Sequence, residues 1–235
     1  SAEALERAIT PRTAAFLVEP IQGEGGICVP PAGYLARCAE ICRRHNVLLI
    51  CDEVQTGLGR TGAMFAVDHE SVKPDGLILG KALGGGLLPV SAFIASRAVM
   101  SVFRPGDHGS TFGGNPLAAA VALATLDILE RDDIPNKAKA DGHYFRDRLR
   151  EIRSPLIADI RGQWLLIGVE INPKFTTARA VCEVLQRFGI LSKDTHGTVV
   201  RFAPPLIITK EEIDWAVERI ARALTEAGRG FKQAA

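Results

Sequence analysis

Residues 47–86 read VLLICDEVQTGLGRTGAMFAVDHESVKPDGLILGKALGGG, and two apolar runs inside them decide the fold. The first, Val47 to Cys51, ends at Asp52 and Glu53. The second, Gly76 to Gly80, ends at Lys81. Runs of this length, rich in Val, Ile and Leu and closed by turn residues, predict strands buried on both faces. Reactive groups in open α/β sheets gather where strands end. A carboxylate, Asp52, and an amine, Lys81, therefore each stand at a strand end.

Outward from this stretch, the pattern alternates. Ala14 to Val18 reads as another buried strand, stopped by Pro20. Gln22 to Gly26 form a glycine-rich loop that can approach a ligand closely. Pro31 to Asn46 predict a helix, with Tyr34, Leu35, Cys38, Ile41 and Cys42 on one face. Val90 to Ala95 give a further strand. Strands alternating with helices imply a mostly parallel sheet. The polar loop Arg104 to Asn115 precedes Pro116, which opens a helix to about Arg131. Asp132 and Asp133 mark a break, and a second helix runs from about Pro135 to Arg153. From Leu156 the pattern becomes a small α+β unit. It holds a strand over Trp164 to Ile171, a helix over Thr177 to Phe188, short strands around Ile190–Leu191 and Val199–Phe202, and a last helix over about Lys210 to Ala227. The expected division is residues 1–131 and residues 132–235.

Composition narrows the classes. The 235 residues carry 28 Lys and Arg against 27 Asp and Glu, a net charge of +1, so neither a nucleic-acid surface nor an acidic tail is indicated. No apolar run approaches the ~18 residues that span a bilayer. The five cysteines form no C-x-x-C pair, which argues against a disulfide framework or a zinc site. Reduced thiols without a targeting segment suggest the cytoplasm. No histidine pair suits a metal. Gly57-x-Gly59-x-x-Gly62 matches a dinucleotide fingerprint literally, but it does not join a strand directly to a helix. Gly80-Lys81 lacks the hydroxyl of a phosphate-binding P-loop, since Ala82 stands there.

Asp52 and Lys81, with three further positions, carry chemistry. A lysine amine is a nucleophile only when deprotonated, so Lys81 needs desolvation, which flanking apolar strands could supply; otherwise it is a solvated lysine. Asp52 suits a protonated ring nitrogen, or simply ends a strand, and Glu53 beside it reads as structural. Ser110 and Thr111, in a glycine-rich loop, suit a phosphate or cap the Pro116 helix. Arg201, within VVRFAPPL, suits bidentate capture of a carboxylate.

Asp52 to Gly57 (DEVQTG) and Gly80 to Gly86 (GKALGGG) together resemble the class III aminotransferases, pyridoxal-phosphate enzymes of the aspartate-aminotransferase fold (fold type I). The resemblance covers the second half of that family's chain: the later part of the large cofactor domain and the C-terminal α+β small domain. It implies that the family's phosphate-binding turn and stacking aromatic precede Ser1, in a longer chain or a separate one. The partial sheet would then expose edges and apolar faces.

The resemblance also implies roles. Lys81 would hold pyridoxal 5'-phosphate as a Schiff base and afterwards move the substrate proton. Asp52 would meet the ring nitrogen, Gln55 the ring hydroxyl, and Val54 the ring face. Ser110 and Thr111 would reach the phosphate in a partner subunit, giving a homodimer with shared sites, or a larger assembly. Arg201 would grip the substrate α-carboxylate, and Glu24 would pair with Arg201 when a distal amine enters instead. The Pro89-Val90-Ser91 and Thr195-His196-Gly197 details favour members that move the δ-amine of L-ornithine to 2-oxoglutarate. The alternatives are an acetylornithine or other ω-amine substrate, or a non-catalytic half-enzyme serving as a binding or dimerisation module.

Overall fold

The computed structural model describes residues 1–234, with side chains as far as Gly228. The chain forms two compact units. The first takes Ser1–Pro20, Pro30–Gly59 and Ala63–Asp133. The second takes Ile21–Val29, Arg60–Gly62 and everything from Ile134 onward. Two short pieces of the N-terminal half thus belong to the second unit.

In the first unit, α1 (Ala2–Ala8) starts at Ser1, whose hydroxyl accepts the Ala4 N–H at 3.2 Å. Then come β1 (Ala15–Val18), α2 (Tyr34–Arg44), β2 (Leu48–Asp52), β3 (Gly76–Leu79), β4 (Ala92–Ala95), the short α3 (Arg97–Met100) and α4 (Pro116–Arg131). The sheet order is β1-β2-β3-β4. The first three strands are parallel, and β4 runs antiparallel to β3. Helix α2 begins at Tyr34, later than expected, because Gly33 takes a left-handed φ of 80°. The Glu70 carboxylate caps it by accepting the Gly33 and Ala36 N–H groups at 3.0 and 2.8 Å.

Burial corrects one expectation. The strands of this sheet are covered on one face only. Phe16, Val18, Leu49, Cys51 and Leu77 pack with Leu35 and Cys42 of α2 and with Val67 and Val72. By register, Leu17, Ile50, Asp52, Ile78 and Phe93 share the opposite face. There Leu17 is 59% exposed, and Ile50 and Ile78 are only half-buried. Leu87, Val102, Phe103, Phe112, Leu117 and Leu123 of this unit are exposed as well. The buried-on-both-faces pattern was legible as apolar runs because such strands carry apolar residues on both sides; this chain covers one of them.

Helix α4 begins where Pro116 places it. The Asn115 side chain accepts the Ala118 N–H at 2.8 Å and donates to the Phe112 carbonyl at 2.7 Å. The Gly84–Gly86 turn packs against this helix. A Cβ on Gly85, whose φ is +58°, would stand 2.7 Å from the Thr125 hydroxyl, so only glycine fits.

The second unit holds α5 (Ile134–Arg150), β5 (Ile157–Gln163), β6 (Leu166–Ile171), α6 (Ala178–Arg187), β7 (Lys193–Thr195), β8 (Val199–Phe202) and α7 (Lys210–Ala234). Its sheet is antiparallel throughout, in the order β5-β6-β8-β7. Two expectations are corrected here. The expected single strand over Trp164 to Ile171 is the second arm of a hairpin, whose first arm is β5. That arm, IADIRGQ, is polar and lies at the sheet edge, so it carries no apolar run. The expected strand at Ile190–Leu191 lies instead at Lys193–Thr195; Leu191 is exposed and outside the ladder.

Alternation along β6 and β8 sorts the residues of this sheet. Ile167, Val169, Ile171, Val200 and Phe202 face the helices and join Phe145, Leu149, Leu185, Ile213 and Leu224 in the core. Leu166, Gly168, Val199 and Arg201 point to the other face. By register, Arg161, Lys193 and Thr195 share that face. The Ile21–Val29 segment lies on it: Ile21, Ile27 and Leu166 form a small buried cluster.

Candidate active site

In the first unit, Asp52 is the last residue of β2 and pairs with Ile78 of β3. The ladder continues one step, with the Glu53 N–H donating to the Ile78 carbonyl at 2.9 Å. Lys81 follows β3 by two residues and opens a short 3-10 turn, Lys81–Gly84. Because β2 and β3 are parallel, Asp52 and Lys81 stand at the same, C-terminal, end of the two strands. The Asp52 carboxylate accepts the Val54 N–H at 3.0 Å, which fixes it at the strand end. Val54 stands over the backbone just ahead of Lys81, since a Cβ on Gly80 would touch both its methyls at 3.5 Å. Lys81 itself has a left-handed φ of 42°. A non-glycine residue held there costs free energy and marks a position the surrounding turn over-determines.

Glu53 locks this corner from beneath. It is 1% exposed, accepts the Val67 N–H at 2.9 Å, and accepts the Thr56 hydroxyl. Burial pushes its carboxyl above the usual range, partly offset by the hydrogen bonds from Thr56 and the backbone. Gln55 lies half-buried in the same turn. Lys81 is exposed, so the flanking strands do not by themselves keep its amine dry, as the sequence had suggested they could. The segment after Gly62 opens no α-helix; a 3-10 turn at Ala66–Glu70 follows, as rejection of the dinucleotide fingerprint requires.

Ser110 and Thr111 lie on an exposed loop. The Ser110 hydroxyl accepts the Gly113 N–H at 3.1 Å. A concavity of about 410 Å³ opens beside the loop, lined by Val90, Ser91, Ser110, Phe112 and Asn115 among others.

In the second unit, the Ile21–Val29 segment is closed by paired bonds between Gln22 and Cys28, at 3.1 and 3.0 Å. It is tied to the sheet twice. The Arg161 guanidinium donates to the Gly26 carbonyl at 2.9 Å, and the Thr195 hydroxyl donates to the Glu24 carbonyl. These anchors deliver the Glu24 side chain onto Arg201, at 2.6 Å, and onto Lys193, at 2.8 Å. The hydrogen bonds from Lys193 and then Arg201 pull the Glu24 carboxyl down to about 2. Arg201 is mostly enclosed, with 18% of its side chain exposed, against 53% for Glu24.

The sequence reading paired Glu24 with Arg201, and the structure places them in contact; it named Thr195 only as a family detail and assigned nothing to Lys193 or Arg60. The Arg60 guanidinium donates to the Leu165 and Pro204 carbonyls, at 3.1 and 2.6 Å. Burial, and then the nearby Arg201 charge, bring it down to about 10. Only the strand register could have pointed to Lys193, and it places Lys193 directly opposite Arg201. A larger cavity of about 860 Å³, near Leu156, Phe175 and Leu224 of this unit, gathers none of these residues.

The class III aminotransferase profile matches residues 1–224, and the chain belongs to that family. Its fold is that of the family's known structures. The ornithine aminotransferase of a Geobacillus species is 56% identical over 220 residues, covering 94% of this chain and 54% of that protein. The crystal structure of the Toxoplasma gondii ornithine aminotransferase superposes with a TM-score of 0.94 at 49% identity, covering 98% of this chain and 56% of that one. The acetylornithine aminotransferase of Elizabethkingia anophelis gives a TM-score of 0.90 at 46% identity, over 96% of this chain and 58% of that one. The chain spans about half the length of the curated relatives it matches.

Proposed function

We propose that this chain belongs to an ω-amine aminotransferase that moves the δ-amino group of L-ornithine to 2-oxoglutarate, giving glutamate 5-semialdehyde and glutamate. The observation that carries this reading is the placement of Lys81. It follows a strand end beside that of Asp52, in a backbone conformation that lysine does not adopt freely. The residues present suit pyridoxal 5'-phosphate: an amine for its aldehyde, a fixed carboxylate for its ring nitrogen, and the Val54 methyls for its ring face. When bound, that cofactor supplies an electron-withdrawing ring that accepts the charge left at a deprotonated substrate carbon.

Each residue then has a task. Lys81 Nζ would take the proton from the substrate carbon and hold it for redelivery. Asp52 would keep the ring nitrogen protonated, Gln55 would meet the ring hydroxyl, and Val54 would pack on the ring face. Ser110 and Thr111 offer hydroxyls to a phosphate, which in a homodimer would belong to the partner subunit's site. Arg201 receives a substrate α-carboxylate. Glu24 neutralises Arg201 when the distal amine of ornithine is the reacting end, so that the α-carboxylate of that substrate is not drawn to the same place.

The second reading is an acetylornithine aminotransferase, favoured by the close fit to the Elizabethkingia anophelis structure. A steady-state assay of the full-length protein with both amines separates the two. A higher kcat/KM for ornithine supports the first reading, and a higher value for acetylornithine replaces it with the second. Failure to turn over either amine, with cofactor supplied, favours a non-catalytic binding or dimerisation role.

A further inference from the structure

Glu24 is held by two cations rather than one. Its two carboxylate oxygens divide between them: one accepts Arg201 at 2.6 Å, the other Lys193 at 2.8 Å. The cations come from directly opposed residues on β7 and β8, on the sheet face turned away from the helices. The backbone beneath Glu24 is pinned by Thr195 and, two residues on, by Arg161. Its side chain can therefore change partners while its loop stays in place.

Charge counting gives this arrangement a purpose. Arg201, Lys193 and Glu24 together carry one surplus positive charge. A carboxylate arriving at Arg201 supplies the missing negative charge, and each carboxylate then has its own cation. Without Lys193, Glu24 could leave Arg201 only by giving up a charge-assisted bond for water, and it would compete with the incoming acid for one guanidinium.

We propose that Lys193 is the retaining partner of Glu24: it holds the Glu24 carboxylate while a substrate carboxylate occupies Arg201, and so sets the balance between the 2-oxo acid and the ω-amine. This rests on the reading of Glu24 and Arg201 given above. Lys193 is a positioning residue, acting through Glu24 and not on the substrate. An ordinary exposed ion pair would contribute little; the shared carboxylate is what distinguishes this one.

The test is Lys193→Met in the full-length protein. The expected result is a rise of about fivefold in KM for 2-oxoglutarate, the upper end of what a partly exposed ion pair contributes. The affinity for glutarate, an unreactive dicarboxylate, should fall in parallel when measured by calorimetry. The half-reaction with the amine should change less than the half-reaction with the acid. Lys193→Arg should restore both values. In a Glu24→Gln background, Lys193→Met should add nothing. A loss that persists in that background means Lys193 attracts the acid directly and overturns the proposal, as does equal damage to both half-reactions or no change in either. Arg201→Ala, run alongside, separates the levels. If it leaves 2-oxoglutarate and glutarate affinity intact, the underlying reading of Arg201 fails. If it abolishes them while Lys193→Met does nothing, only the role of Lys193 fails.

Discussion

Asp52 and Lys81 stand at the C-terminal ends of neighbouring parallel strands, with Val54 standing over the glycine between β3 and the lysine. The corner is built by the backbone: the ladder runs to the Glu53 N–H, and the buried Glu53 carboxylate ties the next turn to Val67. The chemistry assigned to this corner depends on that rigidity, because a lysine stem alone has several free torsions.

The first prediction concerns Lys81. Its left-handed backbone means that Lys81→Gly removes the amine and relieves strain together. Turnover should vanish, while stability holds or rises by up to about 1 kcal/mol. Thermal unfolding checks the second half; a clear drop in midpoint would show that Lys81 is held for structural reasons.

Glu53 gives a pH prediction. Burial raises its carboxyl in the folded chain. Stability from the protonated form is therefore full below the unfolded value and is lost as pH rises through the folded one. Glu53→Gln keeps a group that can accept the Val67 N–H and removes the titration. The variant should gain stability relative to the parent as pH rises from 4.5 to 8, read as urea midpoints across that range. A constant difference would contradict the assignment.

Glu24 has the opposite sign. Its carboxyl is pulled down to about 2 by Lys193 and Arg201. The bridge contributes above the ordinary glutamate range and is lost only as pH falls toward 2. Carbon-13 NMR of the Glu24 carboxyl should give a midpoint near 2, moving upward in Lys193→Met. A midpoint near the ordinary glutamate value would mean that the two bridges do not persist in solution. Because Glu24 is half exposed, the linked stability should be small.

Arg60 is the structural counterpart. Its guanidinium satisfies the Leu165 and Pro204 carbonyls, the second lying shortly after Arg201 in the chain. Arg60→Met should leave both carbonyls unpaired and cost about 2 kcal/mol in urea unfolding. Loss of less than a few tenths would show that water replaces the guanidinium readily.

Much of this was legible in the sequence, for reasons that differ by residue. The apolar runs before Asp52 and Lys81 announced their strands, and Pro116 after Asn115 fixed the start of α4. The edge strands β5 and β7 were not legible, because an edge position tolerates polar residues such as Asp159, Arg161 and Lys193. The apolar runs alone did not show the one-sided cover of the first sheet, since apolar residues on both faces look the same whether or not something covers them; the exposed apolar faces were expected from the family resemblance instead. Glu24 and Arg201 came from the family pattern. Lys193 came only from the fold, which brings together residues far apart in the chain through a strand register that no local pattern encodes.

The central claim is that Lys81 holds the cofactor. Incubating the protein with pyridoxal 5'-phosphate, reducing with borohydride and mapping the peptides by mass spectrometry tests it directly. The account predicts one phosphopyridoxyl group, on Lys81, absent in Lys81→Arg. A label on another lysine, or none on Lys81 in protein that turns over substrate, would contradict it.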